Sequence, residues 1–330
     1  GTGKSLVRMA YERCLGVVPE ENILIITLGK FKGIINEQIP ELPKENLLLE
    51  PYARRTAPCI AYATYTLLKR NPDAVMAATP ADIIVNDEQL FKETMTHALD
   101  YAEKNPVLVT LGVKPDRPDT EYGYIQAVGG KGACSSGDPV KVKTFTEKPD
   151  AEIADVFFRS GEFFWNSGIF VWQASVIKEE MERYIPEITR LFDGWEGALG
   201  SPAEEVFIER AYTDCIKLSI DYGVMEKTDR AWVYPIQFGW SDIDSWENYY
   251  SSIQRKDQDG NISNTQMKIL QNDKRNIILT KNKNKLLMIR GLEDCLVVDT
   301  DDVLLICPRD DKQYKELVNS TRMPGYDKYR

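Results

Sequence analysis

The stretch VLVTLGV, residues 107–113, is an apolar run with the length and β-branched content of a buried strand. Similar runs precede it: ILIITL at 23–28, NLLLE at 46–50 and AVMAATP at 74–80. Helical patterns lie between the runs, at about 57–69 and about 87–103. This alternation predicts an α/β fold with a mostly parallel sheet covered on both faces, and ligands beyond the carboxyl ends of its strands.

The pattern changes from about residue 123. GYIQAV, VKTFTEKP, FFWNSGIFVW and AWVYPI indicate further strands, and helices are predicted from about Ser175 and about Ser245. Beyond the polar stretch at 256–264, short strands from MKILQ to VLLICP alternate with turns, up to a helix from about Lys312. We therefore predict two domains: residues 1–255, and a small β-rich module at 256–330.

Charge and composition exclude several classes of function. The net charge of −10 argues against nucleic acid as a partner. No apolar run approaches the ~20 residues that would span a bilayer, and no signal-peptide pattern opens the chain, so we expect a cytoplasmic protein without a membrane partner. The six cysteines form no C-x-x-C pair, and His97 is the single histidine. Any metal should therefore be held by oxygen ligands.

Two aspartates are candidate metal ligands. Asp82 follows the strand in VMAATPAD, and Asp242 lies in GWSD, in a turn after another apolar strand. Two carboxylates that converge from different strand ends suit Mg²⁺ bridging phosphates. The alternative for each is an ordinary turn former or helix cap.

Three polar residues in apolar surroundings are candidates for ligand binding. In TEKP, Glu147 could accept hydrogen bonds from sugar hydroxyls, and Lys148 could hold a phosphate. A surface turn is the alternative. Asn166 interrupts the aromatic strand FFWNSGIF, where it marks either a bulge or a buried amide that a hydroxyl-bearing ligand would satisfy.

Two further segments could face a ligand. EPYARRTAP, at 50–58, combines Arg54, Arg55 and Thr56 with a helix start, where an anionic nucleotide could bind. A capped helix with a proline in its first turn is the alternative. In TEYGYI, Gly123 would let the backbone approach a ligand. The opening GTGKSL looks like half of a P-loop, but the strand and glycine that should precede it are absent from the sequence.

The order and spacing of these motifs resemble the sugar-nucleotide pyrophosphorylases, and within them the mannose-1-phosphate guanylyltransferases. The resemblance runs through LLLEPYARRTAPCIAYA, PADIIVNDE, TLGVKPDRPDTEYGYI, FTEKPD, FFWNSGIFVW, SIDYGVMEK and GWSDIDSW, over about residues 1–300. It implies a Rossmann-like nucleotidyltransferase domain of glycosyltransferase-A type with a mixed sheet, followed by a left-handed β-helix-like module. In this family GKSL begins the first helix, so it is not a P-loop.

The resemblance also implies a reaction, in which mannose 1-phosphate attacks the α-phosphorus of GTP, with Mg²⁺, to give GDP-mannose and pyrophosphate. Carried over by residue, Asp82 and Asp242 resemble the Mg²⁺ ligands, and Lys148 resembles the holder of the sugar phosphate. The positions that resemble substrate-binding residues are Glu147, Asn166 and Gly123 on the sugar side, and Glu50, Arg54 and Thr56 on the nucleotide side. A homodimer is implied.

The chain departs from the family's pattern at several positions. The glycine-rich signature that grips the triphosphate is absent, so we expect this chain alone to be inactive or badly impaired unless the segment was omitted; the lack of Met at position 1 favours omission. Arg55 stands where Asn or Asp is usual, and the substitution affects the expected contacts with the base of the nucleotide. Glu121 replaces the usual Gly in the sugar loop. Asp244 replaces the usual Gly beside the proposed metal ligand.

Three alternatives remain open from the sequence. A sister enzyme could use another sugar or UTP, dTTP or ATP. A regulatory homologue could bind GDP-mannose without turnover. A P-loop kinase would bind phosphate at Gly3, Lys4 and Ser5, and would leave the remaining motifs as coincidences.

Overall fold

The predicted alternation of strands and helices is present in the computed structural model, which describes residues 4–130, 137–243, 245–253 and 255–329. The strands of the first 242 residues are β1 (Ile25–Leu28), β2 (Leu47–Glu50), β3 (Val75–Ala78), β4 (Ile83–Val85), β5 (Leu108–Val113), β6 (Tyr124–Ala127), β7 (Val140–Thr146), β8 (Phe163–Gln173), β9 (Ala231–Ile236) and β10 (Trp240–Asp242). The later strands are β11 (Ile262–Ser263), β12 (Lys268–Gln271), β13 (Ile277–Thr280), β14 (Leu287–Arg290), β15 (Cys295–Asp299) and β16 (Leu304–Pro308).

The predicted helices are present within a few residues of their expected bounds. The α-helices are α1 (Leu6–Leu15), α2 (Lys32–Gln38), α3 (Thr56–Arg70), α4 (Glu88–Lys104), α5 (Ala151–Ser160), α6 (Ala174–Tyr184), α7 (Pro186–Thr189), α8 (Trp195–Ala198), α9 (Glu204–Thr213), α10 (Trp246–Ser252) and α11 (Asp311–Asn319). A π-helical turn occupies Asp221–Met225.

Side-chain caps explain where several helices begin. Ser5, Asp87, Asp150, Ser245 and Asp310 each accept a hydrogen bond from the backbone N–H three residues further on. The cap at Ser5 agrees with the prediction that GKSL starts the first helix. Gly1 to Gly3, the rest of the opening motif, lie outside the described residues.

Contacts divide the chain into two compact units. The large unit comprises Ser5–Ala81 and Val85–Trp240, and the small unit comprises Asp82–Ile84 and Ser241–Arg330 as far as these ranges are described. The predicted boundary after residue 255 falls inside the small unit, because the aromatic side chains of α10 pack against Ile262 and its neighbours. The prediction that residues 1–255 and 256–330 have separate functions stays a prediction.

The large unit contains a six-stranded sheet in the order β3-β8-β5-β9-β7-β6. The expectation of a mostly parallel sheet is wrong for it, because only β5 and β9 run parallel among its described pairs. The long strand β8 lies between β3 and β5 and pairs antiparallel with both. The helices α5 and α6 come before and after it in the sequence, so an alternation of helices and strands does not by itself make the strands parallel. The sheet is mixed, as the family resemblance implies, while β1 and β2 form a separate parallel pair.

The main core of the large unit lies where α3 and α6 pack together. Trp172 at the end of β8 and Tyr65 on α3 are almost fully buried there, together with Phe192. Tyr65 and Phe192 stack with their ring centroids 5.3 Å apart. This packing makes the residues around the start of α3 a rigid base for the site described below.

The small unit contains stacked parallel strands, as expected for a β-helix-like module. β13 pairs in parallel with β11 and with β15, and β12 pairs in parallel with β14. β16 closes the larger sheet as an antiparallel edge strand. Asn261 and Asn276 form a buried ladder between successive turns. The handedness of the turns stays a prediction.

Within the part of the chain that the structure describes, no helix has both the length and the apolar content needed to cross a membrane.

Candidate functional site

Gly123 and Glu147 lie in close contact at one edge of the large unit. Gly123 directly precedes β6, and Glu147 directly follows β7, its antiparallel neighbour. A Cβ atom at Gly123 would lie 2.5 Å from Glu147 Oε2 and 3.4 Å from Asn166 Cβ. The glycine is therefore required for the approach of the carboxylate to the backbone, and three of the predicted sugar-side residues come together.

The side chain of Glu147 is half-buried, and one of its carboxylate oxygens is shielded from solvent. Its Oε2 has no hydrogen-bond partner among the described residues, although the atom is shielded from solvent. A buried acceptor without a partner costs free energy unless a ligand supplies a donor. Burial, followed by the nearby Asp221 carboxylate, raises the pKa of Glu147 to about 7.

Asn166 lies on β8 with its side-chain amide fully oriented. Its backbone N–H donates to the carbonyl of Gly123 at 2.8 Å. Its Oδ1 accepts from Thr110 Oγ1 at 3.0 Å, and its Nδ2 donates to Asp221 Oδ1 at 2.9 Å. The register of β5 and β8 also shifts opposite this point, as the bulge alternative predicts, and the amide is half-buried with its hydrogen bonds supplied by the protein.

Lys148 follows Glu147 in an unusual backbone conformation. Its φ is +43°, a left-handed value that is uncommon for residues other than glycine. The side chain is exposed, and its positive charge lowers the pKa of Glu147 against the effect of burial. Its ammonium is therefore available near the buried carboxylate for an anionic group such as a phosphate.

The predicted nucleotide-side residues contact one segment of the chain, residues 212–220. Tyr212 Oη donates to Glu50 Oε1 at 3.0 Å, and burial raises the pKa of Glu50. The guanidinium of Arg54 donates to the carbonyls of Tyr212 and Thr213, at the end of α9. In this arrangement Arg54 caps a helix terminus, which a cation stabilises.

Thr56 joins the nucleotide-side and sugar-side groups. Its Oγ1 accepts a hydrogen bond from the N–H of Ile220 at 2.9 Å, and the next residue, Asp221, holds Asn166. The backbone pairs Leu218 with Arg54 and with Ala57 secure the same segment on the start of α3. The two predicted groups are thus connected through residues 218–221.

A cavity of about 490 Å³ opens at the carboxyl ends of the parallel strands β1 and β2. Three cationic side chains and one tyrosine are among its lining residues, which suits an anionic ligand with a flat ring. The lining residues are Leu28, Gly29, Lys30, Pro51, Tyr52, Ala53, Arg54 and Lys217.

Asp82 and Asp242 lie together in the small unit. Asp82 precedes β4 and Asp242 ends β10, and these two strands pair with each other. The N–H of Ile243 donates to the carbonyl of Asp82 at 3.2 Å. Among the described residues, no group of three or more His, Cys, Asp or Glu side chains could hold a metal. Two carboxylates are a suitable donor set for Mg²⁺, which keeps several waters.

The structure describes two of the three positions at which the sequence departs from the family pattern. Arg55 directly precedes α3 with φ +68° and ψ −167°, a region that glycine normally occupies. Glu121 is exposed, and its N–H donates to Asp119 Oδ1 in a tightly hydrogen-bonded loop. Asp244 lies outside the described residues.

Sequence reasoning did not assign a role to Asp221, Glu226 or Thr110. Asp221 and Glu226 belong to the quoted motif SIDYGVMEK, and Glu226 Oε1 accepts from the N–H of Glu147 at 2.9 Å. The sequence signal that could have indicated a role for Asp221 and Glu226 is their position as acidic residues beside apolar ones in this motif. Thr110 lies inside the apolar run that predicts β5, where nothing in the sequence distinguishes it from a buried strand residue.

Comparison with known proteins places this geometry in a family. A model of the nucleotidyl transferase family matches residues 1–259. The mannose-1-phosphate guanylyltransferase of Escherichia coli strain K12 is 34% identical over 323 residues, which cover 94% of this chain and 65% of the relative. The mannose-1-phosphate guanylyltransferase RfbM of Salmonella typhimurium is 31% identical over 333 residues, covering 99% of this chain and 67% of the relative.

A solved structure shares the fold over nearly the whole chain. It is described as a mannose-1-phosphate geranyltransferase from Thermus thermophilus, and it matches with a TM-score of 0.83 at 27% identity, covering 97% of this chain and 90% of that one. The chain spans less than two thirds of the length of the Escherichia coli relative. Because the family model matches well over half of the sequence, the chain belongs to the nucleotidyl transferase family.

Proposed function

We propose that this chain forms GDP-mannose and pyrophosphate from GTP and mannose 1-phosphate. The observation that carries the proposal is the buried Glu147 Oε2, without a partner among the described residues, beside Gly123 and the oriented amide of Asn166. The names of the bacterial relatives support the choice of mannose 1-phosphate and of a guanylyl group. A sister enzyme with another sugar or nucleotide and a non-catalytic GDP-mannose-binding protein remain the alternatives.

The sugar-side residues fit a hydroxyl-rich ligand. Glu147 supplies an acceptor where a sugar hydroxyl would donate, and Asn166 supplies an amide N–H where a hydroxyl oxygen would accept. Lys148 follows the end of β7 by two residues, and its ammonium would hold the phosphate of the same sugar as a point charge.

The chemistry requires alignment and charge neutralisation more than a general base. A sugar phosphate has a second pKa near ~6, so at pH 7 it is mostly dianionic and already nucleophilic. The protein must hold it in line with the α-phosphorus of the nucleotide. The cavity beside Arg54, with Lys30 and Lys217 in its lining, is the candidate place for the nucleotide.

Asp82 and Asp242 are the candidate ligands for Mg²⁺, since their carboxylates come from adjacent strand ends. When bound, Mg²⁺ would neutralise charge on phosphate oxygens. The homodimer and the cytoplasmic location stay predictions.

Pyrophosphate release tests the proposal in the complete natural chain. The reaction contains Mg²⁺, mannose 1-phosphate and, in turn, GTP, UTP, dTTP or ATP. Among the four nucleotides, we expect release only with GTP. Asp242→Asn should lower the rate about 100-fold or more, because it weakens the binding of the cation that would offset transition-state charge. Asp301→Asn is the matched control, since that carboxylate is exposed in the small unit.

The other outcomes separate the alternatives. Release with another nucleotide would assign the chain to a sister enzyme. No release together with measurable GDP-mannose binding would support the regulatory alternative, and full activity of Asp242→Asn would contradict the metal role.

A further inference from the structure

The side-chain amide of Asn166 is locked in one orientation. The N–H of Gly168 donates to Asn166 Oδ1 at 3.2 Å, and Thr110 Oγ1 donates to the same oxygen at 3.0 Å. A backbone N–H can only donate, so the atom that faces Gly168 must be the amide oxygen. The amide nitrogen consequently faces Asp221, to which it donates at 2.9 Å.

This arrangement limits what Asn166 can offer a ligand. An amide oxygen has two acceptor positions, and both are occupied by Thr110 and Gly168. An amide nitrogen has two hydrogens, of which one binds Asp221. One N–H donor remains.

We infer that Asp221 and Thr110 are positioning residues of the sugar-phosphate site, which hold Asn166 so that it presents a single N–H donor and no acceptor to the sugar. This inference rests on the proposed function in taking a mannosyl group as the ligand. The acceptor in the site is then Glu147 Oε2, which lies with Asn166 around the space that a Cβ atom at Gly123 would fill. The chain thus divides donor and acceptor roles between two side chains.

The backbone at Asp221 is held firmly enough for this role. Asp221 begins the π-helical turn, and the N–H of the preceding Ile220 donates to Thr56 Oγ1 at 2.9 Å. The N–H of Leu218 donates to the carbonyl of Arg54, and its carbonyl accepts from Ala57. These bonds secure the backbone of the segment on the N-terminus of α3, and the Asp221 carboxylate accepts from Asn166 at 2.9 Å from that fixed position. Single π-helical turns are frequent at functional sites.

Thr110 fixes the other side of the amide from the centre of the sheet. It is fully buried on β5, and its hydroxyl donates to Asn166 across the strand pair. A valine has nearly the same shape and could fill this position without a cavity, but it could not donate. The hydroxyl is therefore the feature to test.

The first test compares Thr110→Val, which removes the donor, with Thr110→Ser, which keeps it. Calorimetry measures the affinities for GDP-mannose and for GDP, which lacks the sugar. We expect Thr110→Val to weaken GDP-mannose binding about 10-fold while GDP binding changes less than about twofold, because the loss of one hydrogen bond is confined to the sugar side. Thr110→Ser should restore most of the affinity. Thr144→Val, which removes an exposed hydroxyl on β7, is the matched control.

The second test exchanges the partners with Asn166→Asp combined with Asp221→Asn. The introduced carboxylate can accept from Thr110 and Gly168, and also from the introduced amide, so the internal network survives and the thermal midpoint should return near the wild-type value. No N–H remains at position 166 for the ligand. We therefore expect GDP-mannose affinity to stay about 10-fold weak in the exchanged protein, with GDP affinity unchanged.

The outcomes are distinguishable from those of the proposed function. Wild-type binding of GDP-mannose in Thr110→Val, or recovery of that binding in the exchanged protein, would overturn the positioning role even if GDP-mannose is synthesised. Binding that follows the expected pattern without any turnover would support the positioning role while the proposed synthesis fails. A wild-type protein that binds GDP and GDP-mannose equally tightly would also overturn the inference, because the sugar would then add nothing.

Discussion

Gly123 owes its importance to the carboxylate next to it. A methyl group at this position would lie 2.5 Å from Glu147 Oε2, so the carboxylate would have to move away from the sugar side. We expect Gly123→Ala to raise the KM for mannose 1-phosphate about 10-fold or more, since misplacement of one binding group costs at least that much. Steady-state kinetics measures this. Gly33→Ala is the control, because a Cβ there meets no atom within 4 Å, and an unchanged KM in Gly123→Ala would contradict the placement of Glu147.

Glu147 also links stability to pH. Burial and the nearby Asp221 raise its pKa to about 7 from the ordinary 4.5. The folded protein keeps a proton that the unfolded chain releases, so the contribution of this group to stability is lost as the pH rises from about 4.5 through about 7.

Glu147→Gln removes this titration. We expect the melting temperature of the variant, relative to wild type, to increase between about pH 5 and about pH 8, as followed by thermal denaturation. A difference that stays constant over this range would show that the carboxyl group titrates normally.

Arg55 is held in backbone geometry that suits glycine. Its φ of +68° with ψ −167° costs about 1–3 kcal/mol for a residue with a side chain. We expect Arg55→Gly to stabilise the protein by about 1 kcal/mol, after allowing for the greater chain entropy of glycine. Urea denaturation measures the change. Arg55→Lys keeps the strain and serves as the control, and destabilisation by Arg55→Gly would mean that the guanidinium makes compensating contacts.

At the scale of elements, the asparagine ladder holds the turns of the small unit together. Asn276 is fully buried, and its amide donates to Asn261 Oδ1 and to the carbonyl of Leu292, while its oxygen accepts from the N–H of Cys295. Each turn thereby depends on the next for its hydrogen bonds.

Asn276→Ala would leave these buried groups without partners. We expect a loss of about 2–4 kcal/mol in the free energy of unfolding of the small unit. Urea denaturation, followed by a spectroscopic signal from that unit, measures the loss. Asn282→Ala is the matched control, because that side chain is exposed and caps only its own turn. Equal effects of the two substitutions would show that the ladder does not stabilise the stack.

The elements also show where sequence patterns succeed and fail. The apolar runs and caps predict the helices and strands, because the spacing of apolar residues and the capping residue are both contained in a short stretch of consecutive sequence. Strand direction in the large sheet was not predictable in this way. β8 enters the sheet antiparallel after the helix α5, and its place between β3 and β5 depends on contacts with residues far away in the chain.

At the scale of the molecule, the motifs around Gly123, Glu147 and Asn166 were predictable because each combines polar residues with an apolar strand. The structure brings these three residues close together, while their roles toward a ligand stay predictions. The role of Thr110 could not be predicted, since its hydroxyl acts only through a strand pairing that the sequence does not reveal.

The central claim is that the group around Glu147 receives mannose 1-phosphate for guanylyl transfer. The most direct measurement is the formation of GDP-mannose from GTP and mannose 1-phosphate by the complete natural chain, beside Glu147→Gln. At pH 8, above the pKa of about 7 of Glu147, we predict synthesis by wild type, with kcat/KM for mannose 1-phosphate at least about 100-fold lower in the variant, since the ionised acceptor for a sugar hydroxyl is replaced by a neutral amide. Synthesis at equal kcat/KM by both proteins would contradict the placement of the sugar at Glu147.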